Sequence, residues 1–471
     1  MPRQFPILHS DGLNDDMASL NEKRDLTTGV VWKKLLIFFL PIAAGTCIQQ
    51  LYNAVDGMVV GRFVGTAALA SVGGSAAQII NLLIGFFISV TTGASVLIAQ
   101  IFGAGRYEDI RKASGSAIMM CLLMGLVLTV FGLFAAPAML SVLKTPADTF
   151  AGSVLYLRIY FIGVPFILIL NMESNMLRAV GDSVSPFIYM VAGCVFNIIL
   201  DFVFVVFFNW GIAGVAIATV LSQILNMALL TAKLFRSGGE YGLALSDLGL
   251  KKQFISGMLR IGIPAGFQAS MFSISNMVIQ VGVNTLGTIV VASWAMTSKI
   301  DGLYWAVSHA LGAAITSFVG QNIGAGDYDR VRQCIKQGMI LSISITVFLS
   351  SAIMLLGRPL LKILTTDRDV ISTTYTMMTY FVPYYFTWTL IEVISAVLRG
   401  AGDAIKPVII IGLGICLFRI IWILTVFAAF HTVLVLSLSY VTSWVITGIA
   451  LFIYYRRGTW LDNARNKIIS H

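Results

Sequence analysis

Long apolar runs separated by short polar connections recur along the whole chain. Examples are residues 79–90, 118–136 and 408–429, between which lie connections that contain charged residues, glycine or proline. A helix needs about 20 mostly apolar residues to cross the hydrocarbon core of a bilayer. Because lipid offers no hydrogen-bond partners to an open backbone, the spans should be helices. The pattern predicts an all-α integral membrane protein with twelve transmembrane helices.

Composition and charge distribution support this prediction. Of the 471 residues, 58% are hydrophobic and 11% are charged, whereas soluble proteins carry about 25% charged residues. The formal net charge of +9 does not indicate a nucleic-acid partner, because most lysines and arginines fall in alternate connections. Such basic loops stay in the cytoplasm, so we expect a multi-pass protein of the bacterial inner membrane with both termini inside the cell. The expected partner is the lipid bilayer.

Two motifs are repeated at the same distance along the chain. The segment QIFGAGRY at 100–107 recurs as QNIGAGDY at 321–328, and LRAVGD at 177–182 recurs as LRGAGD at 398–403. Both copies are 221 residues apart (321 − 100 and 398 − 177). A duplicated unit of six spans enters the membrane from the same side each time, so the halves are two parallel six-helix repeats. In transporters built this way, the substrate path lies between the halves.

The repeat divides the chain into five predicted segments. They are a cytoplasmic leader at 1–34, an N-lobe bundle at 35–236, an inter-lobe linker at 237–252, a C-lobe bundle at 253–456 and a cytoplasmic tail at 457–471.

Acidic and amide side chains lie inside the predicted spans of the first half, where burial of a charge is expensive. Asp201 follows Asn197 by four residues, so both side chains share one helix face, and Thr219 comes in the next span. Asp56 lies in the first span. Other polar side chains at helical spacing are Gln49 and Tyr52, on the face of Asp56, and the pair Asn171 and Asn175.

The second half lacks this polar set. Aligning the repeats places Phe418, Trp422 and Ile279 at the positions of Asn197, Asp201 and Asp56. One half that holds a cation site would account for this asymmetry. Two alternatives stay open, since Asp56 could cap a helix and Asn197 could bond a neighbouring helix. Glu392, on the tenth span, could contact a cationic substrate or be buried in protonated form.

These motifs resemble the multidrug and toxic compound extrusion (MATE) family over essentially everything after residue 28. The resemblance is carried by the run 41–61, by VGQNIGAG at 319–326, by LRGAGD at 398–403 and by the duplication itself. It implies an N-lobe and a C-lobe of six helices each, and drug export driven by H⁺ or Na⁺.

The resemblance also implies roles for individual residues. Pro41 matches a proline at which the first helix bends. The stretch 264–272 lacks the acid that some relatives carry on the seventh helix, and Glu392 is displaced by about a turn from the family position on the tenth, which favours coupling in the N-lobe. The implied cation-coupling residues, which would also hold any Na⁺, are Asp56, Asn197, Asp201 and Thr219. The implied lining of the substrate cavity is Gln49, Tyr52, Asn171 and Asn175, to which we add Glu392.

We therefore expect an antiporter that exports small cationic or amphiphilic organic compounds, such as drugs or toxic metabolites, in exchange for H⁺ or Na⁺. No enzyme activity, cofactor or further metal site is expected, and the protein should be a monomer. The main alternative is a flippase for lipid-linked saccharides, which should line its cavity with cationic residues. A substrate-binding sensor is disfavoured by the duplicated halves.

Overall fold

The computed structural model describes residues 25–237 and 241–469, and within them the chain folds into twelve long helices and one short terminal helix without any strand. Residues 1–24 of the predicted leader, 238–240 of the predicted linker and 470–471 of the predicted tail lie outside the described residues. The helices are α1 Val31–Val64, α2 Thr66–Gly103, α3 Tyr107–Val142, α4 Ala147–Ala179, α5 Val184–Phe207, α6 Gly211–Arg236, α7 Lys252–Asn284, α8 Thr288–Gly324, α9 Tyr328–Ile363, α10 Arg368–Gly400, α11 Ile405–Phe430, α12 Val433–Arg457 and α13 Trp460–Ile469.

Eleven of these helices, within the described residues, are long and apolar enough to cross a membrane. The exception among the twelve long helices is α7, because its sequence is rich in serine, glutamine and asparagine. Two of its polar side chains, Asn276 and Gln280, line a cavity between the two halves, where polar groups meet water and not lipid. The first helix begins at Val31, inside the segment predicted as leader.

One pair of π-helical turns within the described residues is related by the repeat. In α5 the residues Phe202–Phe207 form a π-helical turn, and in α11 the residues Ile423–Phe427 do the same. The two turns start 221 residues apart (423 − 202), which is the offset of the sequence motifs. Turns of this kind are frequent at functional sites. The one in α5 begins directly after Asp201.

The first helix of each half contributes to the core of the other half. Leu35 and Phe38, at the beginning of α1, belong to the buried cluster that contains Phe318 of α8. Phe254 and Met258, at the beginning of α7, belong to the buried cluster of the N-lobe. The beginning of α1 therefore packs in the C-lobe core, whereas Val59, near its other end, packs in a cluster of the N-lobe.

Helices α2 and α8 cross in close contact at the end of the bundle where the chain enters α1 and leaves α12, here named the terminal end. A β-carbon on Gly103 would lie 1.8 Å from the carbonyl oxygen of Gln321. The repeat-equivalent contact has the same form, since a β-carbon on Gly324 would lie 2.0 Å from the carbonyl oxygen of Gln100. Only glycine fits at either position, which explains the first glycine of both Gly-Ala-Gly motifs.

The glutamines of the two motifs bond the lobes to each other. Gln100 donates from Nε2 to the carbonyl oxygen of Gly400 at 2.9 Å, and Gln321 donates from Nε2 to that of Ala179 at 2.7 Å. These two bonds are related by the repeat. Gln321 also accepts a hydrogen bond from the backbone N–H of the fully buried Leu26 at 3.1 Å. The terminal end is therefore held closed by contacts that cross between lobes.

Candidate functional site

A buried polar cluster lies in the N-lobe where α1 and α5 meet. The carboxyl groups of Asp56 on α1 and Asp201 on α5 are within hydrogen-bonding reach of each other. Asp201 is completely buried, and Asn197, one turn before it on the same face, is 1% exposed. The sequence predicted that these three side chains share a site, and the structure places both carboxyl groups together.

The polar atoms of this cluster lack partners within the described part of the chain. No hydrogen-bond donor reaches Oδ1 of Asp56 or either Oδ atom of Asp201, and both polar atoms of the Asn197 side chain are also unpaired. A buried polar group without a partner costs about 1–3 kcal/mol, and more if it is charged. Two adjacent carboxylates can only accept, so a proton or a cation between them is needed to relieve the repulsion. Carboxylate and amide oxygens are also the ligand types that hard cations prefer.

Thr219 lies at the same level as this cluster on α6. Close approaches of Asn226 to Gly193 and of Phe204 to Gly214 fix the antiparallel register of α5 and α6. That register places Thr219 beside the turn between Asn197 and Asp201. Its hydroxyl, however, donates to the carbonyl of Val215 in its own helix at 3.0 Å.

Three further polar residues of the N-lobe were missed by the sequence analysis. Tyr156 of α4 interacts with both carboxyl groups of the cluster, and Tyr160 lies one turn further along the same helix. Asn226 packs against Gly193, and its buried Oδ1 has no partner. Its spacing of seven residues from Thr219, which places both on one face of α6, was a signal that could have revealed it.

The predicted cavity residues of the N-lobe separate into two groups. Tyr52 joins the buried cluster, where it interacts with Asp56, Tyr156 and Tyr160. Asn171 and Asn175 instead line the central cavity between the lobes, and Gln49 is exposed and belongs to neither. Pro41 lies inside α1, which continues through it as a helix.

The central cavity has a volume of about 920 Å³ and receives side chains from both lobes. Its C-lobe wall is aromatic, with the rings of Trp305 and Trp388 packed edge to face at 4.9 Å. Asp301 on this wall accepts a hydrogen bond from the hydroxyl of Tyr385. The lining comprises Ile88, Ser89, Thr92, Asn171, Asn175, Arg178, Ala269, Phe272, Asn276, Gln280, Trp294, Thr297, Ser298, Asp301, Trp305, His309, Ala313, Phe381, Trp388, Arg419, Tyr440 and Trp444.

An adjoining inner part of the cavity, of about 300 Å³, lies toward the terminal end. Glu392 lines it and accepts a hydrogen bond from Nη2 of Arg399 at 3.3 Å. A β-carbon on Gly312 would lie 2.1 Å from the Glu392 Oε1 atom, so a glycine makes room for this carboxylate. Glu392, which was predicted to line the substrate cavity, thus lies in this inner part with its carboxylate paired to Arg399. Within the described residues, no group of three or more His, Cys, Asp or Glu side chains could hold a metal ion.

Comparison with known proteins identifies the family. A family model described as MatE matches residues 41–203 and 264–425. The chain belongs to the MATE family. The probable multidrug resistance protein YoeA of Bacillus subtilis is 28% identical over 389 residues, covering 81% of this chain and 83% of that protein. The probable multidrug resistance protein NorM of Thermotoga maritima is 25% identical over 417 residues, covering 88% of each chain.

A solved MATE structure confirms the predicted fold of twelve helices in two lobes. It is described as the outward-facing conformation of a multidrug resistance MATE family transporter, and it superposes with a TM-score of 0.86 at 20% identity, covering 94% of this chain and 99% of that one. MATE proteins are membrane transporters that need no cofactor, so this chain is a transporter and not an enzyme. None of these three proteins is named as a flippase for lipid-linked saccharides.

Proposed function

We propose that this protein is a secondary antiporter that exports small amphiphilic organic compounds, including cations, in exchange for H⁺ or Na⁺. The observation that carries the proposal is the pair of adjacent carboxyl groups of Asp56 and Asp201, in which Oδ1 of Asp56 and both oxygens of Asp201 are buried without a donor. Such a pair is stable with a bound proton or cation and unstable without one. The multidrug resistance names of the relatives support the same class of cargo.

The central cavity suits amphiphilic cargo. Its volume of about 920 Å³ falls within the range of about 300–1,000 Å³ that is usual for small-molecule pockets. Aromatic rings and the Asp301 carboxylate offer a surface for an organic cation, because a ring face attracts positive charge. Aromatic walls with few fixed polar contacts also favour broad specificity.

Coupling runs through α1, which connects the ion site to the lobe interface. When Asp56 and Asp201 take up H⁺ or Na⁺, their repulsion ends and the packing of α1 against α5 changes. Pro41 removes one backbone hydrogen bond from α1 and gives the helix a place to bend. The beginning of α1 packs in the C-lobe core, so this bend alters the contact between lobes. Export requires that ion and cargo prefer different states of the protein.

The orientation follows from the charge pattern. With the terminal end in the cytoplasm of a bacterium, the closed crossing of α2 and α8 excludes the cytoplasm, and the cavity faces outward. This state releases cargo to the outside and takes up the coupling ion. We propose that the protein acts as a monomer in the inner membrane, without nucleic acid.

The test is efflux of a fluorescent organic cation from proteoliposomes, with H⁺ and Na⁺ gradients imposed separately. We expect one gradient to drive export by the native protein and Asp201→Asn to lose that drive. Asp369→Asn is the matched control, because Asp369 is an exposed acid at the start of α10, outside the cavity. Full gradient-driven export by Asp201→Asn would refute the coupling site, and absence of export under either gradient would refute the antiporter.

A further inference from the structure

Arg178 is a cation without an acidic partner in the described part of the chain. It lies near the end of α4, and its side chain lines both the central cavity and the inner part. Its Nε atom is buried and has no hydrogen-bond partner. None of the ion pairs formed within residues 25–237 and 241–469 includes it. Because a guanidinium is built to bind carboxylate or phosphate through paired N–H groups, this position points to recognition of an anion.

The repeat shows why Arg178 is unpaired. Its equivalent in the C-lobe is Arg399, which bonds Glu392 seven residues earlier at 3.3 Å. The N-lobe position equivalent to Glu392 is Asn171 (392 − 221), a neutral amide that donates to the carbonyl of Ile167 in its own helix at 2.8 Å. The same backbone geometry therefore presents a paired arginine on one side of the cavity and an unpaired one on the other.

The charged groups of the inner part do not balance. Its lining contains two arginines, Arg178 and Arg399, and one acid, Glu392. These three groups leave one formal positive charge, and it lies on Arg178, the arginine that has no acid partner. The neutral amide of Gln268 stands in the same lining and can donate a hydrogen bond. A single anionic group of a ligand would complete this set.

We infer that Arg178 is a specificity-determining residue that binds a carboxylate of the transported molecule, so the cargo includes amphiphiles that carry an organic acid group. The inner part has about 300 Å³, which is far more than a bare inorganic ion fills, and it adjoins the aromatic wall of the central cavity. A carboxylate at Arg178 thus leaves the apolar body of the molecule against the aromatic rings. The inference rests on the proposed function, because it names a substrate class for the same cavity.

The experiment compares two dyes that differ in one group. Rhodamine B carries a free carboxylate and its ethyl ester does not, and binding of each to the purified full-length protein in nanodiscs is measured by fluorescence anisotropy. A charge-assisted hydrogen bond is worth about 1.5–3 kcal/mol, so we expect Arg178→Gln to weaken binding of rhodamine B by roughly tenfold or more relative to the ester. Arg178→Lys keeps the charge and should retain part of the preference.

A second variant should also make Arg178 unavailable to the carboxylate of the dye, without removing the arginine. Asn171→Glu supplies the acid that Arg399 already has, so it should also lower the ratio of rhodamine B affinity to ester affinity. An unchanged ratio in both Arg178→Gln and Asn171→Glu would overturn the inference, while ester binding would leave the proposed function intact. If added chloride abolished the preference for rhodamine B over its ester, the inference would be overturned in favour of a small inorganic anion. Failure of both dyes to bind the native protein would overturn the inference together with the proposed cargo.

Discussion

The acids of the two lobes occupy related scaffolds but differ in their hydrogen bonding. In the N-lobe, Asp56 and Asp201 lie together, and no donor reaches Oδ1 of Asp56, either oxygen of Asp201 or the side chain of the neighbouring Asn197. In the C-lobe, Asp301 accepts from Tyr385. Glu392 there accepts from an arginine of its own helix. An acid that accepts a hydrogen bond can stay ionised in one state of the protein. A pair of adjacent acids without donors instead needs a proton or a cation from outside.

This difference assigns a different role to each lobe, namely recognition of cargo and coupling to the ion gradient. Acids with a hydrogen-bond partner are held in a fixed position in the wall, which suits recognition of cargo. Unpaired acids respond to the supply of protons or Na⁺, which suits coupling. The N-lobe is therefore expected to sense the ion gradient and the C-lobe to hold much of the cargo surface.

The largest effect should come from the unpaired acids. Asp201→Asn removes one carboxylate of the pair, and we expect gradient-driven export to fall by roughly 100-fold, near the upper end of usual coupling energies. Because the two carboxyl groups act as one unit, adding Asp56→Asn should reduce the rate little further. Initial efflux rates from proteoliposomes give both numbers. Multiplicative losses in the double variant would show that the two acids act independently, which contradicts the shared site.

The next largest effect tests whether the crossing of α2 and α8 is symmetric between the two lobes, although the arrangement of acids is not. Gly103→Ala and Gly324→Ala each place a β-carbon against a backbone carbonyl at 2.0 Å or less. We expect both to disfavour the closed terminal end to a similar extent, by about 3 kcal/mol, since overpacking at a fixed backbone is hard to relieve. Distances between spin labels on the turns after α2 and α8 measure the closed fraction.

Gly85→Ala is the control for this pair. Gly85 lies on the same helix as Gly103, α2, and a β-carbon on it would have nothing within 4 Å. Closed fractions that differ strongly between Gly103→Ala and Gly324→Ala would contradict a symmetric crossing.

The fold followed from the sequence because its signals are local or periodic. Apolar runs predicted twelve spans, and the offset of 221 residues predicted the two parallel lobes. The same offset could not reveal that Gln100 and Gln321 bond the opposite lobe, because the partners Gly400 and Ala179 are brought near only by the packing of lobe against lobe.

The site was only partly predictable for a related reason. Helical spacing grouped Asn197 with Asp201, but whether an acid is paired depends on residues far along the chain. Tyr385 is 84 residues from Asp301, and no periodicity connects them. The lack of an acid beside Arg178 is likewise a property of the assembled cavity. Sequence patterns therefore identified polar positions, and tertiary contacts decided which of them are satisfied.

A smaller effect is expected at the paired acid of the C-lobe. Asp301→Asn keeps an oxygen that can accept from Tyr385, so the local packing should persist while the negative charge is lost. We expect affinity for an organic cation to fall by about threefold to tenfold, the scale of a cation contact of about 1 kcal/mol, with coupling to the gradient retained. Dye binding and ion-dependent efflux measured on the same variant separate the two. Loss of gradient dependence in Asp301→Asn would contradict the assignment of coupling to the N-lobe and cargo recognition to the C-lobe.

The smallest effect is expected for the hydrogen bonds of Gln100 and Gln321. Their bonds to the opposite lobe are related by the repeat, but Gln321 also accepts one from Leu26. Gln100→Leu removes one hydrogen bond between lobes, and Gln321→Leu removes the equivalent bond together with the one from Leu26. At about 1 kcal/mol for each bond, Gln321→Leu should favour opening of the terminal end about twice as strongly in free energy. Hydrogen exchange of amides at the ends of α2 and α8 reports this opening. Equal protection in both variants would mean that the segment before α1 contributes nothing to closure, and the terminal end would then be as symmetric as the repeat itself.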